Sequence, residues 1–193
     1  MPVTRSTSVS AVLISNGGFP HPAIHGFEAN VDAGESAALV FSYTIVGDIH
    51  QLLIPLSAAP RRVDGLWRHS CFEAFFGLKN RPGYYEFNFS PSSEWAAYRF
   101  RAYRDGEPLD DAALTPNISV EQAADRLRLA ATIRLDHLPV IQPGATLRIG
   151  LTAVIEATDG SLSYWALKHP SDKPDFHHAD SFALELALPD ESA

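Results

Sequence analysis

Residues 67–100 read WRHSCFEAFFGLKNRPGYYEFNFSPSSEWAAYRF. Aromatic side chains crowd this stretch well beyond the chain's 10% average, and Glu73, Glu86, Asn88, Glu94 and Arg99 are set among them. Successive side chains of a strand point to opposite faces. At that period Phe72, Ala74 and Phe76 share one face, and Cys71, Glu73 and Phe75 share the other. Tyr85, Phe87 and Phe89 oppose Tyr84, Glu86, Asn88 and Ser90, while Tyr98 and Phe100 oppose Trp95, Arg99, Arg101 and Tyr103. If the Phe-rich faces form the core and short connections lay the three strands side by side, one outer surface collects Glu73, Glu86, Asn88, Trp95, Arg99 and Arg101. A solvated face with cross-strand ion pairs, each worth roughly 0.2–1 kcal/mol, is the plainer reading of such a surface. Trp67 and Trp95 favour a binding face, because Trp is enriched where ligands dock.

The same alternation runs through the rest of the chain. Leu39, Phe41, Tyr43 and Ile45 alternate with Ala38, Val40, Ser42, Thr44 and Val46. Leu127, Leu129, Ala131, Ile133 and Leu135 alternate with polar or small residues, and so do Leu147, Ile149, Leu151, Ala153 and Ile155, and finally Phe182, Leu184, Leu186 and Leu188. A period of two is the signature of half-buried strands. Gly47-Asp48, Pro82-Gly83, Asp105-Gly106, Pro143-Gly144 and Asp159-Gly160 punctuate the runs as turns. The stretch Gln122–Arg128 could form a helical turn, but the alternation after it favours a hairpin. Ten or eleven strands with almost no helix predict an all-β, antiparallel two-sheet sandwich of immunoglobulin-like or jelly-roll type. One domain spans residues 1–193, with its core at about 20–188 and a frayed end at Pro189–Ala193.

Composition narrows the class of function. At 193 residues the chain can bury one good core. A net charge of −8 argues against nucleic acid, whose phosphates need a basic surface. No stretch of 18 apolar residues predicts a membrane span. The apolar run Ala11–Ile14 is too short for the core of a signal peptide, so a cytoplasmic location is the default expectation. The single cysteine, Cys71, allows no internal disulfide and fits a small buried thiol better than a nucleophile.

A second concentration of chemistry runs from Ser163 to His178: SYWALKHPSDKPDFHH. Three readings compete for it. His169, Asp175, His177 and His178 have the donor types of a zinc-like site, although no HxH or HExxH spacing is present. His177 with Asp175 could act as a catalytic pair, but no nucleophile motif accompanies it. The favoured reading is structural: Pro170, Pro174 and the His and Asp side chains lock the loop, which presents Trp165, Lys168 and His169 to a ligand.

Taken together, Trp67, Cys71-Phe72-Glu73, Tyr85-Glu86-Phe87-Asn88, Ser90-Pro91, Glu94–Tyr98, Tyr164-Trp165-Ala166-Leu167, His169-Pro170 and Pro174–His177 resemble the cytoplasmic bacterial DOMON-like proteins, relatives of the family 9 carbohydrate-binding modules. The resemblance runs from about residue 20 to residue 188. It implies a ligand-binding β-sandwich in which two Trp rings clamp a terminal sugar while carboxylate, amide and Arg groups bind its hydroxyls. The matching positions are Trp67 and Trp165 for the clamp, Glu73 as a hydroxyl acceptor, and Asn88 and Arg99 as polar partners, with Arg101 as the alternative to Arg99. Sugars suit such a site because they offer C–H faces to aromatic rings and hydroxyl edges to charged groups. The haem-binding branch of the same group uses Met and His. Met1 is the only methionine here, which leaves at most a bis-His haem from His169, His177 and His178. The expectation is a non-catalytic binder of a carbohydrate or related small ligand, with no cofactor and with undefined oligomeric state. The alternatives are a metal-assisted enzyme built on the His169–His178 loop, a protein-interaction module, and a haem binder.

Overall fold

The computed structural model describes residues 7–18, 21–34, 37–138 and 140–190. Met1 and residues 191–193 of the expected frayed end lie outside them. Where small, β-branched and aromatic residues alternate, extended strands form. In chain order they are β1 (Thr7–Val12), β2 (Ile14–Ser15), β3 (Ile24–Gly34), β4 (Ala38–Gly47), β5 (Arg61–Arg62), β6 (Cys71–Leu78), β7 (Tyr84–Phe89), β8 (Glu94–Ala102), β9 (Asp105–Pro108), β10 (Asn117–Gln122), β11 (Arg126–Arg134), β12 (Thr146–Glu156), β13 (Leu162–Ala166) and β14 (Leu184–Ala187). The only helical pieces among the described residues are short 3-10 turns, including Leu66–Arg68 and Ala179–Ser181.

Two sheets result. The smaller has the order β1-β3-β4-β11-β10; the larger runs β2-β13-β12-β6-β7-β8-β5, with β14 added beside β12 and β9 beside β8. All pairings are antiparallel except the short β5–β8 contact. The expected sandwich is therefore present. Its strand count exceeds ten or eleven because the periodic reading passes over two-residue pieces such as β2 and β5. The Asp105-Gly106 turn is the other difference: those residues open β9, and the reversal lies at Tyr103–Arg104, where Arg104 takes a positive φ of 55°.

The core lies between the sheets. Phe27, Phe41 and Tyr43 of the smaller sheet meet Phe72, Phe76 and Phe89 of the larger, with ring centroids 5.2–6.0 Å apart. Tyr43 is wholly buried, and its hydroxyl is satisfied by donating to the Glu73 carbonyl oxygen at 2.7 Å. The hairpin at Gln122–Arg126 forms as the alternation indicates. No helix among the described residues is long and apolar enough to cross a membrane.

Candidate functional site

The face of the larger sheet turned away from this core is set by register. Glu73 of β6 lies opposite Asn88 of β7 and opposite Thr152 of β12; Asn88 lies opposite Ala96 of β8, and Glu86 opposite Tyr98. Four polar side chains thus meet mid-sheet, and all four are buried. One end of the face is capped by Leu66, which packs with Val63 on Cys71, Ala96 and Tyr98. The other is capped by Phe176 and Phe182, packed on Phe75, Tyr84 and Phe100. The 175–182 segment lies directly on the sheet: a Cβ at Gly150 would come within 3.2 Å of the Ser181 carbonyl oxygen.

Hydrogen bonding orders the polar cluster and leaves part of it open. Asn88 Nδ2 donates to Glu86 Oε1 at 2.8 Å, and Thr152 Oγ1 donates to Glu73 Oε2 at 3.4 Å. The Arg104 backbone N–H donates to the Tyr84 hydroxyl at 3.3 Å, so that hydroxyl is free to donate to His177 Nδ1 at 2.9 Å. This places the His177 proton on Nε2, which faces Glu86 Oε2 at 3.7 Å. Glu73 Oε1 and Asn88 Oδ1 are buried with no partner. Both are acceptors on residues that face each other across β6 and β7, so a single donor between them would satisfy both.

Burial controls the protonation of the cluster. Desolvation, with the nearby Glu86 charge, holds the Glu73 carboxyl well above the usual carboxylate range. Desolvation pushes Glu86 up to about 7, against the Asn88 hydrogen bond. Desolvation and the Arg104 charge bring His177 down to about 4. Between those two values Glu86 and His177 are both neutral, and their contact is not an ion pair. A neutral Glu73 also carries its own donor, which can serve Asn88 Oδ1 when nothing else does.

The structure gathers only part of the set expected from sequence. Glu73, Glu86 and Asn88 do meet on the outer face. Trp95 does not: it pairs in register with Phe89 and is buried in the core. Arg99 is paired with Tyr85, on the core-facing side at the sheet's margin, and forms an ion pair with Glu107. Arg101 sits at the exposed end of the β8–β9 hairpin and bonds Asp105. Parity on β8 is thus the reverse of the reading, and Tyr98 and Phe100 share the face with Glu86 and Tyr84. Trp165 also points inward, 5.4 Å from the Phe27 ring, with Nε1 donating to Ser163 Oγ at 3.0 Å. A two-Trp clamp from Trp67 and Trp165 is not assembled. Of the three Trp side chains, Trp67 alone reaches solvent, 44% exposed, with the Arg68 guanidinium 5.8 Å from its ring.

The His-rich loop is held by separate contacts. His169 Nε2 contacts the Ile14 carbonyl oxygen at 2.9 Å, while its Nδ1 is buried and unpartnered. Lys168 lies 3.9 Å from Asp180. Asp175 accepts from Tyr103 and Arg104, and His178 Nδ1 accepts from the Asp180 backbone N–H. Asp175 and His177 thus stay near each other around Arg104 and Tyr84, while His169 is held apart against β2 and the His178 ring nitrogen caps the Ala179–Ser181 turn. Among the described residues no three His, Cys, Asp or Glu side chains gather as metal ligands. Cys71 is buried, and desolvation pushes its thiol well up. Sequence reasoning passed over Thr152 and Arg148, polar residues on the outer parity of an otherwise apolar strand.

The fold is shared with solved structures. A candidate carbohydrate-binding protein from Bacteroides uniformis superposes with a TM-score of 0.61 at 11% identity, covering 89% of this chain and 83% of that one. A family 9 carbohydrate-binding module from Caldicellulosiruptor kristjanssonii, solved with glucose, superposes with a TM-score of 0.50 at 12% identity, covering 93% and 85%. No family model matches the sequence, and no curated protein matches it. At these identities the likeness is one of fold.

Proposed function

We propose that the chain is a non-catalytic binding module for a carbohydrate or a related small polyhydroxylated ligand. One observation carries the reading: two adjacent buried polar atoms, Glu73 Oε1 and Asn88 Oδ1, make no hydrogen bond among the described residues at the centre of an outer face flanked by aromatic rings. A sugar hydroxyl both donates and accepts, so it suits this pair whether Glu73 is ionised or neutral, and rings receive the sugar's C–H surfaces. The structural neighbours, a candidate carbohydrate-binding protein and a module bound to glucose, support the same class of ligand. Trp67, at the rim of the face, is the ring available to an incoming ligand. Access to Glu73 and Asn88 requires movement of one of the two caps.

Calorimetric titration with glucose and cello-oligosaccharides tests the reading. Dissociation constants from micromolar to millimolar are expected, about −8 to −4 kcal/mol. Trp67→Ala should weaken binding by about tenfold, near 1.4 kcal/mol. Absence of binding for every neutral sugar, or an isotherm indifferent to both Trp67→Ala and Asn88→Ala in folded protein, refutes it.

A further inference from the structure

Beside the capped polar cluster a groove of about 620 Å³ opens at the sheet's flank, lined by Lys79, Arg81, Tyr84, Tyr103, Arg148 and His178 among others. Among the described residues no Asp or Glu lines it, although the chain as a whole carries a net charge of −8. Two nearby carboxylates sit outside the lining but pair with members of it. Glu185 holds Lys79 at 2.7 Å, and Asp175 is taken by Arg104 and the Tyr103 hydroxyl. Arg81 has no ion-pair partner among the described residues.

Arg148 is the built element of this groove. Its guanidinium is half-buried, 4.4 Å from the Phe182 ring and 5.8 Å from that of Tyr84. Nη2 donates to the Pro82 carbonyl at 2.9 Å and the Arg81 carbonyl at 3.3 Å. The turn that brings these carbonyls in depends on Gly77, which lies opposite Arg148 in register. A Cβ on Gly77 would stand 2.4 Å from the Gly83 carbonyl oxygen. Nε and Nη1 have no protein acceptor among the described residues. A partly desolvated cation with no counter-charge is unfavourable, and its two remaining donors, on opposite edges of the guanidinium, can each give one charge-assisted hydrogen bond to an oxyanion.

We propose that this groove binds an oxyanion, the phosphate or carboxylate of a small ligand, with Arg148 giving one charge-assisted hydrogen bond and Arg81 as the second cation. The proposal stands on the groove alone. His177 lines the groove and also faces Glu86, so a sugar bearing an acidic group could span both sites if the sugar reading holds as well.

Two-dimensional amide NMR at constant ionic strength tests it, with inorganic phosphate, glucuronate, glucose 6-phosphate and glucose as separate titrants. Phosphate should shift the signals of 79–84 and 177–179 saturably at about millimolar concentration. The exposed variant Arg81→Ala should weaken this about tenfold without changing Tm. Arg148→Lys, which keeps the charge and loses the guanidinium donors, should weaken it comparably; if that variant does not fold, Arg81→Ala decides. Comparison of glucuronate with glucose 6-phosphate shows which oxyanion is preferred. No saturable phosphate shift by about 10 mM, or a shift unaltered by the variants, overturns the proposal. Glucose binding without phosphate or glucuronate binding removes the groove and leaves the sugar reading. Phosphate binding without any neutral-sugar binding does the reverse.

Discussion

Glu86 and His177 face each other with proton affinities moved in opposite directions by the same cause, loss of water. Glu86 in the folded chain titrates at about 7 against an ordinary 4.5. The native state therefore holds more protons than the unfolded chain across that window, and stability falls as pH rises through it. Ionised Glu86 costs up to about 3 kcal/mol once pH exceeds 7. His177, at about 4 against an ordinary 6.5, acts the other way: stability falls as pH drops from 6.5 toward 4. Glu86→Gln keeps an acceptor for Asn88 and removes the first effect. Urea denaturation at pH 5 and pH 8 should find the variant about 1–3 kcal/mol more stable than the parent at pH 8, with the difference closing at pH 5. Equal differences at the two pH values would show that Glu86 is not held protonated.

At the scale of elements, the 175–182 segment is the piece that closes the outer face. Its anchors include Phe176 and Phe182 on the Phe75, Tyr84 and Phe100 cluster, Asp175 on Tyr103 and Arg104, and His177 on Tyr84, Phe75 and Phe100. Phe182→Ala removes the largest apolar anchor from a satellite cluster and leaves the inter-sheet core intact. Hydrogen exchange should quicken in 175–182 well before it does in β6 or β12, the pattern of local opening. Uniform acceleration across the sheet would show that the segment and sheet open together. The elements were unequally legible in sequence. β4, β11 and β12 follow clean alternation, because one face of each meets the core. On β8 both faces are apolar, with Trp95 and Ala97 inward and Ala96, Tyr98 and Phe100 outward, so composition could not say which face was which. The pairings Phe89 with Trp95 and Asn88 with Ala96 decide it. Trp165 sits on a short strand with a similar ambiguity, and its pairing with Ala153 sends it into the core.

Across the whole molecule, the sheets are assembled from strands distant in sequence: β4 pairs with β11, and β6 with β12. Such non-local topology folds slowly, in milliseconds to seconds. Stopped-flow refolding followed by Trp fluorescence should show this, since Trp95 and Trp165 enter the core. A main phase in microseconds would mean that local contacts dominate. Legible from the residues alone were the all-β sandwich, the parity that turns Glu73, Glu86 and Asn88 away from the inter-sheet core, and the aromatic excess around them. These follow from the period of two in side-chain direction, which is a local property. Long-range packing was needed to show that Trp67 stands alone at the rim, that the 175–182 segment caps the polar cluster, and that Arg148 and Arg81 line a groove with no carboxylate among the described residues. Those depend on which distant strands pair and in what register, and register is set by the packing of two sheets against each other.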